Sequence, residues 1–522
     1  MLSRAQIHEH IYFVTVLGIA IGLPLNKIVL SISGLLMALN WLLEGDFRDK
    51  VEKLKKQKVG LLLAALFVFL TATLLYSSNI EYGINDLRIK LPLLLFPIVV
   101  LSSKSLSKVK YNIVLQSFLF SVVLVTLVNF INYKTGLYLI DSREMSLFGS
   151  HIRLSLMVTF AFFLATYAAW KMKNILSTLY LLLAVWLLFY AYKSEVLTGY
   201  FGLVITTLFL VFWWIMRQFK QHRVTIFAAC LGLSAIIALS FYKAIYPIPT
   251  EAFSAEQLHE KTQYGGTYHH DTTSVILENG YYIHYFICHE ELDSMLILAI
   301  GESIEERSIS QPDFFPTLIR YMSSLGLRKD ADGFKQLSDA DLRNILNGIP
   351  SVVYAQGGFK SRLARITMEL QKHLEGADPN GSTIQQRIEY WRTGKDIIIS
   401  NPIFGVGVGD VQDAYNVQYE NNNSRLHIEN RLHSHQQFMT IWIACGILGL
   451  VILLLKILLS LKIAFKTNSV VLYLFVVIIT FSYFFEDTLE TQVGVTLVAF
   501  FFSLLLKQEQ ESHYLDRRNQ TL

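Results

Sequence analysis

Charge is what this sequence has least of. Asp, Glu, Lys and Arg make up 16% of its 522 residues while 53% are hydrophobic, and a soluble domain averages about 25% charged residues. The few charges are also gathered into short clusters. Cysteine is nearly missing: Cys230 and Cys445 fall inside apolar runs and Cys288 stands alone in a polar stretch, which excludes an internal disulfide framework there. The formal net charge of +4 gives no footprint for a nucleic-acid partner. The apolar runs carry almost no ionisable side chain and no repeated motif, which speaks against an ion-coupled or polysaccharide or lipid transporter.

What is there instead is a series of uncharged runs: 11–26, 28–43, 59–80, 91–103, 111–133, 154–170, 174–192, 196–216, 224–242, 436–455, 467–485 and 491–506. About 20 apolar residues cross a bilayer, so these predict about twelve transmembrane helices. The shortest, 91–103, is expected to extend back through Ile89. Pro24, Asn26 and Lys27 are expected to break the first two runs into a tight hairpin. Lys and Arg crowd every second connection, as at Arg48–Lys58, Lys104–Lys110, Lys171–Lys173, Arg217–Arg223 and Lys456–Lys466. Basic loops are cytoplasmic, so both termini are expected inside and 243–434 outside. The first run reads as a retained helix rather than a cleaved signal. The expected divisions are 1–242 for helices 1–9, 243–434 for the outer domain, 435–507 for helices 10–12 and 508–522 for a cytoplasmic tail.

The outer segment is far longer than a connecting loop and reads as mainly helical. Ser338 with Asp341 three residues on, flanked by Leu337 and Leu342, predicts a capped helix start with a hydrophobic staple. Leu363, Ile366, Leu370 and Leu374 recur at helical spacing, and 267–287 suggests short strands. Ser382 and Gln385 predict another capping box, opening a helix to about Ile399 with Arg387, Trp391 and Lys395 on one face. Gly405, Gly407 and Gly409 then alternate without the strand and helix of a dinucleotide site. They suit a turn that lets backbone approach closely to a neighbour or to a phosphate. His435 stands where this polar island meets the uncharged run from Gln436. His433 two residues earlier invites a metal reading, but no known ligand spacing supports it.

Taken together, Arg387-Ile-Glu-Tyr-Trp391, Asn401-Pro-Ile-Phe-Gly-Val-Gly-Val-Gly409 and His435-Gln-Gln-Phe-Met followed by Gly446-Ile-Leu-Gly449 resemble the O-antigen ligase and O-antigen polymerase superfamily. Its pattern is an arginine four residues before a tryptophan, a Pro-x-x-Gly-x-Gly turn, and a histidine opening the next membrane helix. The segment 317–330 resembles the outer domain of the Bacteroidetes ligase-like branch. The resemblance implies an all-α integral membrane protein of about 12 transmembrane helices, with one large, mainly helical periplasmic domain between helices 9 and 10. It implies an inner-membrane enzyme that transfers glycan from an undecaprenyl-diphosphate carrier to lipid A-core or another glycan acceptor, without cofactor or metal. A polymerase or a protein O-oligosaccharyltransferase of the same superfamily would share these motifs.

The resemblance assigns His435 as the catalytic residue, and an imidazole near pKa 6.5 suits a general base. It assigns Arg387 to the diphosphate, which a guanidinium can grip with two prongs. Trp391, Gly405, Gly407 and Gly409 complete the motif. The chain departs from the family in two places. Gln436 replaces an asparagine, and Leu197 stands where many members carry an arginine. Lys193, Arg153 and Arg431 are the cations that could replace that charge on the diphosphate, and Arg392 and Arg431 could also anchor at the head-group level.

Overall fold

The computed structural model describes residues 3–135, 145–219, 249–250 and 258–521, with Gly232 and Leu239. The expected ninth helix, 224–242, otherwise lies outside the described residues. The described residues are mostly helical. Among the described residues, eight helices are long and apolar enough to cross a membrane: Arg4–Leu25, Lys27–Glu44, Lys108–Lys134, His151–Lys171, Ile175–Ser194, Leu197–Gln218, Gln437–Thr467 and Gln492–Glu511. Leu62–Tyr76 and Val470–Phe485 are shorter apolar helices. The protein is therefore an all-α, multi-pass membrane protein.

The local signals explain several boundaries. Asn26 is extended, and its side chain accepts a hydrogen bond from the Ile28 amide at 2.7 Å. It thus caps the second helix and makes the expected hairpin. The fourth run does not extend back through Ile89 as one helix. One helix ends at Lys90 and another, Pro92–Ser102, begins two residues later, because proline lacks the amide that a continuing helix needs and suits a first turn.

The chain forms two compact units, 1–218 with 389–522, and 219–388. In the first unit, residues 389–434 pack with the apolar helices. The second unit has its own core of Leu292, Leu296, Phe314, Leu318, Tyr321, Met322 and Ile345. Ser338 and Asp341 form the expected capping box, with Leu337 and Leu342 packed against that core. The 358–374 helix is present. Among the described residues the strands are one antiparallel pair, Leu277–Glu278 with Tyr281–Tyr282, inside the stretch expected to hold them. At the later box the expectation is half met. The Gln385 amide donates to Ser382 Oγ, but the Gln385 side chain turns to the Glu369 carbonyl instead.

In the first unit, the helix Gln437–Thr467 is broken at Gly446, whose φ of 64° and ψ of −166° lie in a region essentially reserved for glycine. A broken membrane helix must have its freed backbone groups satisfied by protein. Here the glycine turn does so. The Val406 amide donates to the Ile443 carbonyl at 2.8 Å, and that of Gly407 to Ala444 at 3.1 Å. The Ile447 amide donates in return to the Pro402 carbonyl at 2.9 Å. Gly405 (φ 72°) and Gly407 (φ 91°) turn the chain. A Cβ on Gly405 would strike Ile443, one on Gly407 would strike Ser77, and one on Gly409 would strike Asn79. Gly405 and Gly409 thus lie against neighbouring backbone, and Gly407 against the Ser77 hydroxyl.

Gly446→Ala should therefore destabilise the protein by about 1–3 kcal/mol from backbone strain, with a further loss because its Cβ would meet the Ile403 carbonyl. Gly34→Ala, in a helix with no close neighbour, should leave stability nearly unchanged. Thermal unfolding of the two variants in detergent, compared with the parent, measures the difference.

Candidate functional site

His435 lies just ahead of the helix Gln437–Thr467, in a chain segment held almost atom by atom. Tyr390 donates its hydroxyl to the Asn430 carbonyl at 2.9 Å, and Tyr419 to the Leu432 carbonyl at 2.5 Å. Gln412 donates to the Arg431 carbonyl and Trp391 Nε1 to the Ser434 carbonyl, both at 2.9 Å. The buried Ser434 hydroxyl also pairs with Thr440. Trp391 is thus a brace for the histidine loop, built on the helix Thr383–Ser400. The departure at Gln436 is also accounted for. Gln436 is the N-cap of the next helix, its side-chain oxygen accepting from the Met439 amide at 2.6 Å, a role asparagine performs equally. His435 itself has a φ of 49°, uncommon for a residue with a Cβ.

The partner of the histidines comes from much later in the chain. Asp487 Oδ2 lies 3.0 Å from His433 Nδ1 and 3.3 Å from His435 Nδ1. These are ion-pair distances, and with Nδ1 toward the carboxylate, Nε2 is the nitrogen left to accept a proton. The two rings are about one-quarter to one-third exposed, while Asp487 is buried. Burial disfavours the Asp487 anion, yet the two histidines outweigh it and hold the carboxyl well below the ordinary carboxylate range. Burial likewise opposes protonation of His433, and the Asp487 carboxylate overcomes it, raising His433 above the ordinary 6.5.

Asp487 belongs to a short acidic loop between the helices Val470–Phe485 and Gln492–Thr521. Sequence reading missed it. The available signal was three acids, Glu486, Asp487 and Glu490, between two uncharged runs of a chain that has few charges. The loop is tied down on all sides. Arg153 reaches Glu486 and Asp487 Oδ1 at 3.5 Å, donates to the Asp487 carbonyl at 3.2 Å, and to Thr491 at 3.1 Å. Gln437 accepts from the Leu489 amide at 2.6 Å and donates to Glu490 at 3.2 Å.

The other expected cations are distributed differently. Arg153, one of the cations expected for a diphosphate, is buried and engaged with the acidic loop at Glu486, Asp487 and Thr491. Arg431 donates to the Leu426 carbonyl at 3.2 Å and lies 3.7 Å from Glu420. Lys193 is exposed near the end of the helix Ile175–Ser194, its ammonium 5.7 Å from the Tyr192 ring. Leu197 opens the next helix. Arg387 is half-buried on the helix Thr383–Ser400, one turn before Trp391, and falls in the second compact unit whereas His435 falls in the first.

His433, His435 and Asp487 bring three ligand-type atoms within 4.8 Å of one another, a donor set that could also hold a zinc-like ion. No spacing in the sequence announced it, because its third member arrives from a separate loop.

The pH behaviour follows from His433. A raised folded-state pKa adds stability that is fully present below the unfolded value of about 6.5. It is lost as the pH rises through the folded value. The stability advantage of the parent over His433→Gln should accordingly be larger at about pH 6 than at about pH 9, as measured by thermal unfolding across that range.

The O-antigen ligase family model matches residues 345–454, about a fifth of the chain. The match takes in Arg387, Trp391, the three glycines and His435 and ends before Asp487. No curated protein matches the chain. The resemblance drawn from the Arg–Trp, glycine-turn and histidine motifs and the match over the same residues agree, and residues 345–454 are similar to the O-antigen ligase family.

Proposed function

We propose that this protein is an inner-membrane glycosyltransferase that moves a glycan from undecaprenyl diphosphate to a hydroxyl of lipid A-core, acting as an O-antigen ligase. The observation that carries the chemistry is the contact of His435 Nδ1 with Asp487 ahead of the helix Gln437–Thr467. His435 Nε2 takes the proton from the acceptor hydroxyl as its oxygen attacks the anomeric carbon. The bond from that carbon to the diphosphate breaks, and undecaprenyl diphosphate leaves with the electron pair. Asp487 keeps the imidazole oriented, and Arg153 braces Asp487. Arg387 binds the diphosphate as its charge develops, since a guanidinium meets two phosphate oxygens at once. Lys193 is the cation to replace the arginine missing at Leu197, with Arg431 next. The diphosphate is already an activated leaving group, so the reaction proceeds without metal or other cofactor.

The topology belonging to this reading has twelve helices, both termini in the cytoplasm and 243–434 in the periplasm, as the alternating basic loops require. A cysteine placed at Ala340 should be labelled by a membrane-impermeant maleimide from the periplasmic side. Protection of that site until the inner membrane is opened would reject the topology.

In a reconstituted transfer assay His435→Ala should lose about 10²–10⁴-fold in rate with donor binding kept, and chelators should leave the parent unaffected. A rate unchanged in His435→Ala, or a parent enzyme silenced by chelator and restored by zinc, refutes the mechanism. Arg387→Ala should abolish transfer, and Arg387→Lys should recover little because the planar fork is lost. The lipopolysaccharide of a deletion strain separates the acceptors. Unattached carrier-linked polymer marks a ligase, whereas a single repeat on lipid A-core marks the polymerase of the same superfamily.

A further inference from the structure

Lys90 is a buried cation that the proposed chemistry does not use. It ends the helix Ile80–Lys90, its side chain is 3% exposed, and its ammonium sits between Asp86, at 2.6 Å, and Glu490. Its hydrogen bond to Glu490 spans 400 residues of sequence. Glu490 in turn accepts from Gln437, a fully buried side chain two residues after His435. The same Gln437 accepts the Leu489 amide. A cavity of about 10 Å³ lies between these groups and the histidine loop, lined by Tyr82, Asp86, Lys90, His433, Thr440 and Glu490, which is room for about one water.

Two chemical demands meet here. A carboxylate as buried as Glu490 is tolerated only when a counter-charge and hydrogen bonds replace its water. Asp487, three residues earlier on the same loop, must hold its distance to His435, since small displacements of a catalytic group have large effects on rate. Arg153 holds the loop at Asp487 and at Thr491, but those contacts neither neutralise the Glu490 carboxylate nor tie the loop to the helix that follows His435. The Lys90–Glu490–Gln437 chain does both, joining the acidic loop directly to the first turn of that helix.

We infer that Lys90 is a positioning residue for His435: its ammonium anchors Glu490, and through Gln437 and the 486–490 loop it sets the carboxylate on which the imidazole rests. The inference rests on the proposed role of His435 as general base. Lys90 touches neither substrate nor reacting atoms in this account, so its removal acts on turnover and leaves donor affinity alone.

The test uses the full-length protein in nanodiscs with a polyisoprenyl-diphosphate-linked oligosaccharide donor. Lys90→Met should lower kcat by about 10–10²-fold with the donor KM within about twofold, and Lys90→Arg, which keeps the charge, should retain most of the turnover. If Lys90→Met does not accumulate, Glu490→Gln removes the same ion pair from the other side while keeping shape, and should show the same split. His435→Ala in the same assay separates two failures. Turnover that survives His435→Ala refutes the proposed function. Turnover that requires His435, yet stays at the parental kcat in folded Lys90→Met or Glu490→Gln, overturns the positioning role alone. A raised KM with intact kcat overturns it as well.

Discussion

The acidic loop at 486–490 is the constraint on which the site depends. It places three carboxylates among apolar helices, where an unpaired charge is very costly, and the first unit supplies a partner for each. Arg153 takes Glu486 and shares Asp487 with His433 and His435, while Lys90 takes Glu490. Because each carboxylate has a partner on a different element, the loop can occupy only one position without stranding a charge. That position presents Asp487 to the imidazoles. The same electrostatic requirement that keeps the loop folded therefore also orients the group proposed to do the chemistry.

A second constraint is the break at Gly446. An unbroken helix would satisfy its own carbonyls and leave no acceptors for the 402–407 segment. The break exposes Ile443 and Ala444 to Val406 and Gly407, and backbone pairing in both directions stitches the glycine turn to the helix that His435 precedes. Thr73 and Ser77 complete the arrangement by accepting the amides of Val408 and Gly409. The glycines, which in sequence suit close approach to a neighbour or to a phosphate, lie here against Ile443, Ser77 and Asn79. Trp391 does related work by holding the Ser434 carbonyl, so three parts of the family motif converge on the geometry of one histidine loop.

Much of the fold was legible because the bilayer imposes simple rules on sequence. Uncharged runs of membrane length, Asn26 between two of them, and Ser338 with Asp341 in the second unit each report local physics that a short window contains. The helix break at Pro92 was misread for a local reason too: the apolar run was followed backward through a residue that cannot donate. The histidine and the Arg–Trp helix were legible as a motif, and the match over residues 345–454 falls on the same segment.

By itself the sequence determined a multi-pass helical membrane protein and pointed to His435 as the residue proposed to do its chemistry. It did so because apolar length, capping and loop charge act over a few residues. Only the tertiary structure decided what His435 rests on, since Asp487 lies more than fifty residues further on and Lys90 hundreds of residues earlier. It also decided that Arg153 serves the acidic loop and that the glycines face Ile443, Ser77 and Asn79. Pairing of buried charges and close approach of backbones are satisfied in space, between elements whose sequence separation carries no signal of their contact.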